Sequence, residues 1–270
     1  MAELRREIRL YLLLRGASLR GALQYRGNIA LMVLAGAAYQ GSGFAFVWAL
    51  LHTFGTIAGW DLGQIAFLYG VRLLAHALWL VTLDGITQAD SAIREGQLDR
   101  MLLRPANPLS QLATTTRSLL PFGDLSAALL VFGVAVVVAD VDWSPGAVAF
   151  LVLAVVGGAL LEASATVALA ALAVRIVDTW AFRMVTYDAI DTLSSYPLSV
   201  FGPATQRLLT YALPVAFIAF LPAGLVLGQT DHLAVPAVLG YASPVVGGGL
   251  FALAYLLWRR QLRHYQGVGH

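Results

Sequence analysis

The sequence predicts an all-α, polytopic membrane fold: six transmembrane helices, an interfacial helix at the N-terminus and a short helix exposed on the inner side. Three observations predict it. The 270 residues are 59% hydrophobic and only 12% charged, whereas soluble domains carry roughly 25% charged residues. The mean hydropathy is +0.75, too apolar for a globule wetted on every side. Apolar runs of ~20 residues, enough to cross ~30 Å of hydrocarbon, recur along the chain, and arginines gather on alternate connections between them.

Residues 1–28 place Leu4, Ile8, Tyr11 and Leu12 on one helical face and Arg5, Arg6 and Arg9 on the others. That is the pattern of a helix in the headgroup plane, serving as a topology anchor or as an elbow against a cytosolic partner. Ala35-Gly36-Ala37 imitates a signal-peptide cleavage site. The long basic region before it and the apolar sequence resuming at Phe44 argue for a span instead. The first two spans, Ile29 to Leu51 and Ile65 to Leu83, fall within 29–86. A polar region, 90–117, separates them from the third and fourth, Leu119 to Ala139 and Ala147 to Val174, within 119–174. The last span is Val235 to Trp258 (235–258), with a tail at 259–270.

The segment 176–228 is open at this level. Leu208 to Leu227 is apolar but interrupted by Pro214 and Pro222, while Ile176 to Val200 carries Asp178, Arg183, Asp188 and Asp191. Either the Pro-broken run crosses, or the polar segment is a pore-facing fifth helix and the Pro-broken run dips in and returns. Both give six crossings.

Arginine counting sets the orientation. Arg5, Arg6, Arg9, Arg15, Arg20 and Arg26 precede the first span, Arg94, Arg100, Arg104 and Arg117 follow the second, Arg175 the fourth, and Arg259, Arg260 and Arg263 the last. The opposite connections hold Asp61, Asp140, Asp142 and Asp231. Both termini are therefore expected in the cytoplasm. Trp60 and Trp143 would mark outer ends, and Trp180 and Trp258 inner ends, of an aromatic belt. This use of arginine also accounts for the +2 charge without nucleic acid as a partner.

All 17 basic residues are arginine and there is no cysteine. Lysine chemistry, including the GxxxxGK[ST] phosphate loop, is excluded from this chain, as are disulfides and thiolate metal sites. The histidines His52, His76, His232, His264 and His270 are scattered without metal-ligand spacing. Ser42 lies in "YQGSGF", but Gln40 stands where a Gly-x-Ser-Gly nucleophile motif needs glycine.

Between the second and third spans, "REGQLDRMLLRPANPLS" puts Leu98, Met101 and Leu102 at i, i+3 and i+4, with Asp99, Arg100 and Arg104 on other faces. Pro105 then stops the helix. This short amphipathic helix on the inner side is either an interfacial connector or a docking element. "EGQLDRMLLRPANPL" resembles the cytosolic signature of ABC-2 type exporter permeases, Gly-x-Leu-Asp-x-x-Leu-x-Arg-Pro, and "YPLSVFGPATQRLLTYALPVAFIAFLPAGLVLG" resembles the region those permeases carry before their last helix. The likeness covers most of the chain.

The resemblance implies a permease subunit that moves substrate outward. It would pair with a second permease, a copy or a paralogue, and with separately made ABC ATPase subunits that hold ATP and Mg. The chain would bind no cofactor and be no enzyme by itself. It would lie in a bacterial inner (plasma) membrane among lipids, with both termini cytoplasmic. The short helix would be the coupling helix, with Gly96, Leu98, Asp99, Arg100, Leu103, Arg104 and Pro105 making or shaping the ATPase contact. The family pattern also favours a fifth span near Ile176 to Val200 followed by a re-entrant segment, which leaves Arg207 outside.

Arg72 sits mid-way along the second span and Glu162 at similar depth in the fourth, where a charge costs ~2.5 to 3.5 kcal/mol on insertion scales. His76 shares a face with Arg72. The expectation is that Arg72 and Glu162 approach each other, as a structural pair or along a substrate path. Gly157, Gly158, Ala159, Ala163, Ser164 and Ala165, and Gly247 to Gly249, would let helices approach closely, within the chain or across a dimer interface. Polar residues in spans and Pro-broken helices also mark ion-coupled secondary transporters, which is the alternative reading.

Overall fold

The computed structural model describes residues 2–22, 26–54, 56–115, 119–176, 179–231 and 233–265. The fold is 80% helical, with no strand among the described residues. The helices are α1 (Ala2–Ala22), α2 (Arg26–Phe54), α3 (Leu62–Leu83), α4 (Ala89–Arg94), α5 (Gln97–Leu102), α6 (Pro108–Ala113), α7 (Leu120–Val138), α8 (Pro145–Ala173), α9 (Trp180–Ser194), α10 (Pro203–Tyr211), α11 (Phe220–Val226) and α12 (Ser243–Leu262).

Four stretches among the described residues are long and apolar enough to cross a membrane: Leu62–Arg94, Leu120–Val138, Pro145–Ala173 and Ala237–Leu262. They overlap the predicted second, third, fourth and last spans. The 29-residue α2 encloses the predicted first span. Local chemistry sets the starts. Asp61 and Gln64 close a capping box on α3, the Gln64 N–H donating to Asp61 Oδ1 (2.9 Å) and the Asp61 N–H to Gln64 Oε1 (3.0 Å). Ser144 caps α8, followed by Pro145 as its first residue.

The open segment resolves into unequal parts. Within its polar half Trp180–Ser194 form one helix, α9, followed by a 3₁₀ turn at Leu198–Val200, with Asp178 outside the described residues, whereas Leu208 to Leu227 is divided among α10, a 3₁₀ turn at Pro214–Phe217 and α11. Pro214 has no amide hydrogen to extend α10, and its ring excludes the backbone of the preceding turn. The run most apolar by composition is thus not one crossing helix. α9 runs antiparallel to α3: Arg183 meets Thr87 and Asp90, Tyr187 lies by Trp79, and Asp191 and Ser194 reach Arg72.

Two apolar clusters occupy opposite ends of the bundle. At the N-terminal end of α3, Trp60, Phe67 and Leu68 pack under Phe217, Ile218, Phe220 and Leu221. At its C-terminal end, Ile86, Ile93, Leu98, Met101 and Leu112 pack on Val167, Ala171 and Trp258 of α8 and α12. Trp60 and Trp258 are therefore core residues, fully covered by neighbouring helices, rather than members of an exposed belt. Trp143 and Trp180 are exposed.

The small-residue clusters divide as well. α8 and α12 pack along each other, and at their crossing a Cβ on Gly247 would collide with the Gly157 carbonyl, while one on Gly157 would meet Ser243 O and Pro244. Gly158 abuts Ile218 and Ala75. These glycines serve packing within the chain. A Cβ on Gly248 or Gly249 would meet nothing within 4 Å beyond its own helix.

Candidate functional site

Two features could carry function: a polar cavity between α3, α8 and α9, and the turn that ends α5. The cavity, about 690 Å³, is lined by Arg72, His76, Trp79, Glu162, Asp188 and Asp191 among others. It extends from the middle of α3 to Asp84 and Thr87 at the end that carries α4.

Each charge in it has an identifiable position. Arg72 is 1% exposed and its Nη2 donates to Asp191 Oδ1, while Nε donates to Ser194 Oγ at 3.4 Å. Glu162 Oε2 accepts from His76 Nδ1 and from Trp79 Nε1, both at 2.7 Å. Since an ionised carboxylate only accepts, the proton lies on His76 Nδ1. Tyr187 closes the wall, its hydroxyl donating to Thr166 Oγ1 at 3.2 Å. Arg72 and Glu162 thus share a cavity but do not pair: the Arg72 partner is Asp191, across on α9.

Asp191 and Trp79 are the residues that sequence reasoning missed. Trp79 follows His76 by three positions and Arg72 by seven, which puts all three on one face of a helix. Asp191 lies in the segment whose crossing was open, so nothing fixed its depth.

Toward the α4 end, Arg183 Nη1 donates to Thr87 O and to Asp90 Oδ1, each at 2.7 Å, and Arg94 lies 4.0 Å from the same Asp90 carboxylate. α4 is thereby tied to the base of α9. Gly96 then reverses the chain at φ +66°, a backbone region that L side chains rarely adopt, and α5 begins. Leu98 and Met101 are buried in the apolar cluster at this end. Leu102, expected on the same buried face, is exposed, because α5 lasts only six residues and the chain is already turning out.

Leu103 is 87% exposed, and Arg100, Arg104 and Pro105 are exposed around it. Gln111 holds the turn from below, its Nε2 donating to Met101 O (2.9 Å) and Ala106 O (3.0 Å). The Tyr265 hydroxyl lies near Asp99 but meets no hydrogen-bond geometry with it. Burial first, then the Asp99 charge, push the Tyr265 phenol up to about 12.

α1 lies across this end. Arg6 Nη2 donates to Pro105 O (3.3 Å), Tyr11 Oη to Thr82 O and Arg15 Nη2 to Val81 O (both 2.5 Å). Burial pushes the Tyr11 phenol up, and Arg15 offsets part of that. Ile8 and Leu12 face outward; the Leu4 side chain lies outside the described set. Between α1 and α5 a groove of about 620 Å³ is lined by Leu14, Ser18, Met101, Arg104 and Gln111.

Other candidates offer less. Ser42 Oγ donates to Tyr39 O at 2.7 Å. Among the described residues no group of three His, Asp or Glu could hold a metal ion. Searches of curated proteins and of solved structures each found no match. The family described as ABC-2 family transporter protein, in contrast, matches residues 37–269. With the long apolar helices, that match over most of the chain carries the conclusion that the protein belongs to the ABC-2 transporter family, as a multi-pass membrane permease.

Proposed function

We propose that the chain is the permease half of an ATP-driven exporter, paired with a second permease and driven by separate ATPase subunits that bind ATP and Mg. One observation carries the reading: the exposed turn Leu103–Pro105 projects from a helix anchored by buried Leu98 and Met101 in the same cluster that joins α8 and α12. A force applied to such a tip is delivered to the membrane helices, because its base is packed at core density.

In this reading α1, α4, α5 and the end of α12 are cytosolic, as the arginine distribution requires. The crossings are α2, α3, α7, α8, α9 and α12, and α10 and α11 form a re-entrant cap on the outer side. The 15-residue α9 covers ~22 Å, so the cap completes what α9 does not reach. The open side of the α9 cavity carries Asp188 beside Val185, both exposed. A carboxylate there is costly against lipid and is accommodated where a second permease encloses a polar passage.

The test is ATPase stimulation. Asp99→Ala combined with Arg104→Ala should leave membrane insertion intact and abolish stimulation of the co-purified ATPase. Unchanged stimulation refutes the coupling assignment. The second reading, an ion-coupled carrier, is favoured by one observation, the charge network of Arg72, Asp191, His76 and Glu162. It predicts uptake or efflux by the purified chain alone under an imposed ion gradient, and the exporter reading predicts none.

A further inference from the structure

We propose that the cavity beside α3 binds amphipathic organic amines in their protonated, cationic form, with the Glu162 carboxylate as counter-ion. The proposal rests on the permease reading only in calling that amine a substrate.

The cavity has the size for it. About 690 Å³ falls within the roughly 300–1,000 Å³ of sites that hold drug-sized molecules. Its charge is unbalanced toward the negative. The Arg72 guanidinium is committed to Asp191, and Glu162 and Asp188 also line the space, against His76 as the other basic group; Asp84, at the α4 end, has Arg15 as a nearby charge and adds nothing to this balance. Arg183, near Thr87 at the rim, is held by Asp90. An anion entering here would meet several carboxylates with no guanidinium to spare.

A second observation points to the ligand independently of the charge count. Glu162 is 5% exposed, and its two oxygens are treated differently. Oε2 accepts from both His76 and Trp79, whereas Oε1 is buried and has no hydrogen-bond partner among the described residues. Buried carboxylate oxygens are normally satisfied, and the group that fits a lone anionic acceptor best is a cationic N–H donor, which makes a charge-assisted hydrogen bond.

The surrounding walls fit the rest of such a molecule. Trp79 and Tyr187, with ring centroids 6.2 Å apart, offer aromatic surfaces beside the carboxylate, where a cation is attracted to the ring faces. Leu80, Met184 and Ile190 line the same cavity and supply apolar contact for a hydrocarbon or aromatic body. The combination selects for charge and greasiness together. It disfavours sugars, which lack the charge, and phosphates, which carry the wrong one.

The experiment uses the full chain in nanodiscs of zwitterionic lipid, titrated with three dansyl probes: dansylcadaverine (cationic), its N-acetyl derivative (neutral) and dansylglycine (anionic). Empty discs supply the partitioning baseline. The cation should bind at least about tenfold more tightly than the neutral probe, the scale of one charge-assisted hydrogen bond. Glu162→Gln should weaken the cation by about 10- to 100-fold and leave the neutral probe unchanged. Asp188→Asn, on the exposed side of α9, should weaken the cation by a smaller factor.

Equal binding of the cationic and neutral probes, tighter binding of dansylglycine, or wild-type affinity in Glu162→Gln overturns the proposal. Should Glu162→Gln fail to fold, the charge series on the wild type and the Asp188→Asn titration decide the matter. Binding here needs no ATPase. A negative result therefore leaves ATPase stimulation through α5 standing, and loss of that stimulation leaves the binding result standing.

Discussion

Separating Arg72 from Asp191 should destabilise the bundle, and the size of the effect follows from the asymmetry of the pair. Arg72 is 1% exposed while Asp191 is 47% exposed. Breaking a wholly buried ion pair costs ~3–5 kcal/mol because one charge is left without compensation, and breaking an exposed pair costs ~0–1 kcal/mol. With one partner half in contact with solvent, Asp191→Asn should cost ~2 kcal/mol, leaving Arg72 the Ser194 hydroxyl at 3.4 Å as a weak partner. The informative quantity is the coupling energy, since it removes effects each variant has on its own.

A cycle of Arg72→Gln, Asp191→Asn and the double variant should give a coupling of ~1.5–3 kcal/mol, and the matching cycle of Arg72→Gln with Glu162→Gln should give under ~1 kcal/mol. The assay is reversible unfolding in mixed micelles by increasing SDS fraction, followed by the fluorescence of the six tryptophans. If Arg72 couples to Glu162 more strongly than to Asp191, the assignment of partners is wrong, and with it the placement of α9 against α3.

Three further outcomes are expected. Gly247→Ala drives a methyl into the Gly157 backbone and should lower stability by ~1–3 kcal/mol, whereas Gly249→Ala, with open space around it, should be neutral or stabilising by up to ~1 kcal/mol; both are read in the same micelle assay. Leu103→Asp places a charge on the most exposed apolar residue of the α5 turn, and pull-down should record lost ATPase retention with an unchanged unfolding midpoint. Arg183→Gln removes the donor to Thr87 O and Asp90 and should cost ~1–3 kcal/mol, detected as faster proteolysis between α9 and the preceding segment.

Much of the fold was legible because the bilayer imposes a length on every crossing. The runs around α3, α7, α8 and α12 are bounded by charge or turn residues at about the required spacing, so composition alone locates them. Gly96 and Pro105 marked the limits of the inner-side turn for equally local reasons. What composition left open was the segment 176–228. Hydropathy ranks Leu208 to Leu227 above Trp180 to Ser194, yet Pro214 breaks the first, while Arg183 and Asp191 of the second are each offset by a partner on α3 or α4. Pairing across helices is a tertiary fact that a window average does not contain. Arg72 and Glu162 were found by depth, but Arg72 was matched to Glu162 because the depth of Asp191, its partner in the structure, was open.

The same helix that closes the cavity is also the one tied to the inner-side turn, and that coincidence constrains mechanism. α9 contributes Asp188 and Asp191 to the cavity, and its base is pinned by Arg183 to Asp90 on α4, one glycine turn before α5. A displacement of the Leu103 turn therefore reaches Asp90 through two short helices packed in one apolar cluster, and reaches Asp191 through a continuous 15-residue helix. Rigid elements transmit displacement with little loss because packed interiors compress poorly. The ion pair at Arg183 is the polar link of this path: Asp90 is buried and Arg183 is only partly exposed, so parting them without a replacement partner for Asp90 is costly. If the Leu103 turn does receive the stroke of an ATPase, opening of the cavity toward the α4 end would require release of Arg183 from Asp90, because that pair ties the base of α9 to α4.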